Sequence, residues 1–148
     1  MVVVGADALT MTPINTTRVI LGGLVAGLVA NVLDVGAGLL MGDAQVANAQ
    51  RLGLSQEDIA ASLPVWIGVD FVYGLLLVFT YAAIRPRFGP GPKTAAIGGL
   101  VLYLAITVVL IGFMSMGMFM QDVFFKSAAL SLVSTLGASL AGAAVYNE

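Results

Sequence analysis

The stretch from Thr94 to Met120, TAAIGGLVLYLAITVVLIGFMSMGMFM, runs twenty-seven residues without one charged side chain. A helix needs about 20 apolar residues to cross a ~30 Å hydrocarbon core. A helix buried in a soluble protein would be shorter and would meet polar flanks sooner. Three further apolar runs share the chain: Val19–Met41 preceded by Arg18, Pro64–Ile84 closed by Arg85, and Ser127–Tyr146. Each is near or above the crossing length. The pattern predicts an all-α integral membrane protein, a four-helix up-down bundle with spans at about 19–41, 64–84, 94–120 and 127–146.

Composition agrees. The chain has 148 residues, enough for one domain. Apolar residues make up 59% and charged residues 9%, where soluble domains carry ~25% charge. Mean hydropathy is +1.03. Six Lys and Arg with eight Asp and Glu cannot clothe a soluble surface of this size.

Absences narrow the chemistry. With no Cys there is no disulfide, thiolate metal site or cysteine nucleophile. With no His there is no His-ligated haem, ordinary zinc site or Ser-His catalysis. A net charge of −2 offers no basic surface for nucleic acid. No cofactor and no nucleic-acid partner is expected, and the chain is not expected to be an enzyme.

Residues 1–17, MVVVGADALTMTPINTT, are weakly patterned and expected to be poorly ordered, ahead of a membrane domain over 18–148. Asp7 stands where a signal peptide needs positive charge. Met11 is an alternative start. Basic residues near span ends set orientation. Arg18, Arg85, Arg87 and Lys93 fall on one side, and only Arg51 and Lys126 on the other. That places both termini and the RPRFGPGPK turn in the cytoplasm. Trp66, Phe119, Phe124 and Phe125 then mark the outer interface, and Tyr81, Phe88 and Tyr146 the inner one.

The connections carry their own signals. In 42–63, Asp43 can cap a short helix ending near Arg51 and Gly53, and Ser55 a second one with Glu57 and Asp58 in its first turn. Pro64 breaks that helix or starts span two. Two short interfacial helices on the outer face are expected, with a disordered loop as the alternative. RPRFGPGPK, with three prolines and two glycines, is expected to be a tight non-helical turn.

The stretches RVILGGLVAGLVANVLDVGAGLLM and YAAIRPRFGPGPKTA resemble an uncharacterised group of small, four-span bacterial membrane proteins. The likeness covers spans one and two and the turn after them. It implies a bacterial inner membrane and carries no activity, so it assigns no functional residue.

Two constellations could carry chemistry. In span one Gly23, Gly27, Ala30, Asp34 and Gly38 share a helix face, with a GxxxG pair that permits close backbone approach. That face serves packing within the chain or self-association. Asp34, with Asn31 one turn earlier, and Asp70 in span two both fall ~10 Å below the outer ends of their spans. Ser131, Ser134 and Thr135 of span four lie at a similar level. No Lys or Arg inside a span can neutralise the carboxyls, so at least one should be protonated or share a cation. The cluster is either a proton or cation site or a hydrogen-bonded packing element. Met114 and Met118 could share a helix face near Met41 as soft Cu(I) ligands, or be flexible apolar filler. No other metal site is indicated.

The leading expectation is a non-catalytic accessory or self-associating subunit of a membrane complex, partnered by lipid and by other subunits or itself. The alternative is a small proton- or cation-handling transporter or channel built on Asp34 and Asp70.

Overall fold

The computed structural model describes residues 13–146. Four helices fill them: α1 Thr16–Arg51, α2 Gln56–Phe88, α3 Pro92–Ser115 and α4 Gln121–Val145. All four are long and apolar enough to cross a membrane. The expectation for residues 1–17 lies outside the described residues up to residue 12. Beyond that, Asn15 caps α1 by accepting from the Arg18 backbone N–H.

The α1–α2 connection differs from expectation. No separate interfacial helices form. The segment expected to start at Asp43 is the continuation of α1, and the one capped by Ser55 is the start of α2. Residues 42–51, GDAQVANAQR, contain no proline and are rich in good helix formers, so nothing stops α1 at Met41. It stops at Gly53, whose φ of 83° lets its N–H reach Gln50 O while Leu54 N–H reaches Ala49 O. Ser55 does cap α2, in a reciprocal box with Asp58. Those hydrogen bonds hold the Asp58 carboxyl below its usual range. Pro64 sits inside α2 rather than at its start. The carbonyl it deprives of a partner belongs to Ala60, which is exposed and free to meet water.

At the other end, α2 runs through Arg85, Pro86 and Arg87 to Phe88, so half of RPRFGPGPK is helical. The turn proper is Gly89–Gly91, with φ of 82° and 122° at its glycines. Pro92 then opens α3. α3 ends at Ser115, five residues short of the expected Met120, in a turn closed by Gly117 N–H to Met114 O and Met118 N–H to Phe113 O. Gly117, at φ 80°, makes that turn possible.

Packing is uneven along the bundle. α1, α2 and α4 touch one another, while α3 packs on α2 and α4 and not on α1. At the end holding Arg18 and Arg85, here the basic end, the three central helices meet backbone to backbone. A methyl added at Gly27 would lie 2.7 Å from Phe71 Cα, and one at Gly22 2.7 Å from Gly142 O. Gly74 seats directly against Gly23 and Gly27. Ala26, Leu77, Val78 and Ala138 are wholly buried there. Toward the far end burial thins out. Leu39 and Leu40 are 85% and 77% exposed to whatever surrounds the chain.

Candidate functional site

The small-residue face of α1 divides in two. Gly23, Gly27 and Ala30 are buried against α2 and α4, as expected of a close-packing face. Gly38 is not part of it. Nothing lies within 4 Å of where its Cβ would be, and the same holds for Gly36 and Gly42. Within the chain nothing packs on α1 at these glycines, although Met41 and Asn48 further along α1 are buried against other elements.

The carboxyls follow from the same register. Gly27 packs on Asp70 and Phe71, and Asn31 Nδ2 reaches Ile67 O at 3.4 Å. Continued antiparallel, this brings Asp34 level with Pro64, six residues and about 9 Å along α2 from Asp70. Equal depth was expected because Met41 and Pro64 were matched as span ends. Both helices run past those residues, and glycine contacts rather than helix ends set the register. Asp34 is exposed and Asp70 half-buried.

The hydroxyls expected around the carboxyls have other partners. Thr135 is buried, with Oγ1 3.3 Å from Tyr73 Oη. Ser131 donates to Ala128 O of its own helix, and Asn31 to Gly27 O of its own. Ser134 is buried and lines an apolar groove with Leu33, Gly36, Ala37, Leu40, Leu130 and Val133. No hydrogen bond joins Asp34 or Asp70 to these groups among the described residues. What the fold brings together is the Tyr73–Thr135 contact between α2 and α4, with Asp70 one turn from it on α2 and Asp34 offset by about 9 Å along that helix. Tyr73 was missed because a lone tyrosine in an apolar run carries no periodic signal.

The methionines also fall differently. Met118 lies beyond the end of α3, so it shares no helix face with Met114. Met41 is buried and its sulfur accepts from Ser127 at 3.9 Å. Met118 faces Asn48 instead. Asn48 Nδ2 donates to Met118 O (3.3 Å), its Oδ1 accepts from Met120 N (2.9 Å), and Arg51 Nη2 donates to Gly117 O (2.7 Å). These two α1 residues hold the α3–α4 turn and leave the thioethers as packing groups. Among the described residues, no cluster of three or more His, Cys, Asp or Glu is placed to hold a metal ion.

The basic end is tied by tyrosines. Tyr146 Oη accepts from Asn15 N at 3.2 Å, and Tyr81 Oη accepts from Gly91 N at 3.1 Å. The two rings meet edge to face at 5.9 Å, and the Arg85 guanidinium lies 5.7 Å from the Tyr146 centroid. The far end holds a second aromatic group, Phe119, Phe124 and Phe125.

No known protein family, curated protein or solved structure matches this chain.

Proposed function

We propose that the chain is a non-catalytic multi-pass membrane subunit that works by association, with another membrane protein or with itself. The observation that carries this reading is the contrast between the two halves of the bundle. Gly22, Gly27, Gly74 and Gly142 bring α1, α2 and α4 into close backbone contact at the basic end, where an added methyl would strike a neighbouring helix. The far half is built the opposite way. There Asp34, Gly38 and Gly42 lie uncovered by the chain, although an unpaired carboxyl facing lipid is costly. A neighbouring protein that covers this side would relieve that cost. The split of basic residues supports both termini being cytoplasmic, and the resemblance of spans one and two supports a bacterial inner membrane.

The test is the mass of the particle extracted from its native membrane in mild detergent. The protein mass should exceed the 15.2 kDa of one chain by a defined copy or partner. A homogeneous particle of a single chain would overturn the proposal.

A second reading, a proton- or cation-handling protein, is favoured by one observation. Two carboxyls, Asp34 and Asp70, lie within apolar helices, and Asp70 is half-buried one turn from the Tyr73–Thr135 contact. It would need the closed half to open.

A further inference from the structure

The turn between α2 and α3 carries charge that the fold does not use. Arg87 and Lys93 flank it, both exposed, and Phe88 beside them is 53% exposed. Neither cation has an ion-pair partner among the described residues. Every described acid, Asp34, Asp43, Glu57, Asp58, Asp70 and Asp122, lies elsewhere along the bundle. Arg85 is committed to the Tyr146 ring and does not enter the argument.

The turn is also pre-shaped. Thr94 Oγ1 donates to Gly89 O at 2.6 Å, and the Gly91 N–H is held by the Tyr81 hydroxyl. Pro90 and Pro92 fix the backbone between and after the glycines. A rigid turn bearing two cations and an aromatic ring loses little conformational freedom when it meets an anion. Long basic side chains and an aromatic ring are the groups that suit a headgroup boundary.

We infer that the Arg87–Lys93 turn binds the phosphate of an anionic phospholipid, with the Phe88 ring at the edge of the acyl region. This rests on the reading of the four helices as membrane spans. It adds a ligand class at the basic end, separate from the uncovered face at the far end.

The experiment places the purified chain in lipid nanodiscs. It compares the association of spin-labelled phosphatidylglycerol with that of spin-labelled phosphatidylcholine. The anionic lipid should be preferred, and the preference should fall about five-fold for each cation removed in Arg87→Gln and Lys93→Gln. Lys126→Gln makes the same charge change at the other end and should leave the preference intact. Both sites are exposed, and unchanged helical circular dichroism would verify folding.

An equal preference in wild type and the Arg87→Gln/Lys93→Gln pair would overturn the inference. So would an equal loss in Lys126→Gln. Displacement by inorganic phosphate at matched ionic strength would point to a soluble anion and overturn the lipid assignment. A chain that enters nanodiscs but shows no lipid preference removes this inference alone. A chain that enters no bilayer removes the membrane reading as well.

Discussion

Asn48 lies seven residues beyond the expected end of the first span, yet it ties together the far end of the bundle. Its amide is 7% exposed and serves two backbone groups of the α3–α4 turn at once, donating to Met118 O and accepting from Met120 N. Removing a buried partner costs more than the bond itself contributes, because the groups left behind lose water as well. Asn48→Ala should lower stability by about 1–3 kcal/mol. Asn48→Asp, which keeps an acceptor for Met120 N but sets a carboxylate oxygen against the Met118 carbonyl in a buried site, should also destabilise. Thermal unfolding in detergent measures both, and an Asn48→Ala protein as stable as wild type would show that the turn holds itself. Little of this was legible in the sequence. Asn48 sits in an Ala- and Gln-rich stretch that reads as a solvated helix face, and its partners are backbone atoms seventy residues away. Gly27 was legible, because a small residue four after Gly23 has a direct steric meaning. Gly38 fits the same spacing but nothing in the chain packs on it, since spacing cannot tell whether a small residue faces its own chain or a neighbour.

At the scale of elements, the spans were readable and their ends were not. Thr94–Met120 is charge-free, so a crossing helix there follows from solvation alone. Asp43 and Pro64 looked like helix boundaries because caps and prolines usually are. Here α1 runs on through Asp43 to the residues that grip the α3–α4 turn, and α2 carries Pro64 where the freed Ala60 carbonyl is exposed. The close contact of α1 with α2 depends on Gly74 facing Gly23 and Gly27. Gly74→Leu should therefore destabilise the bundle by at least the 1–3 kcal/mol typical of overpacking, because backbone atoms are what the side chain would strike. Gly38→Leu meets nothing within the chain and should leave the isolated monomer's unfolding midpoint near the wild-type value. Equal midpoints for wild type and Gly74→Leu would mean that the α1–α2 contact is not as close as described.

For the whole molecule, the up-down order of four helices sets the α1–α2 tip and the α2–α3 turn at opposite ends. The chain contains no natural cysteine, so Gly53→Cys and Gly91→Cys can each be labelled alone. In intact cells an impermeant thiol reagent should reach Gly53→Cys and not Gly91→Cys. Labelling of both from outside would refute the four-span topology. The two carboxyls were legible only in part. Asp34 and Asp70 stood out because charges within apolar runs are rare, while their relative depth depended on a helix register that the sequence does not carry.

The account stands most directly on whether the basic half of the bundle is closed. The chain can be reconstituted into liposomes loaded with a pH-sensitive dye and given an acid step with a potassium–valinomycin shunt. Closed packing of Gly22, Gly74 and Gly142 predicts that internal pH will relax no faster than in protein-free liposomes. Fast relaxation that returns to the protein-free rate in Asp70→Asn would contradict it, and would make Asp70 part of a proton path.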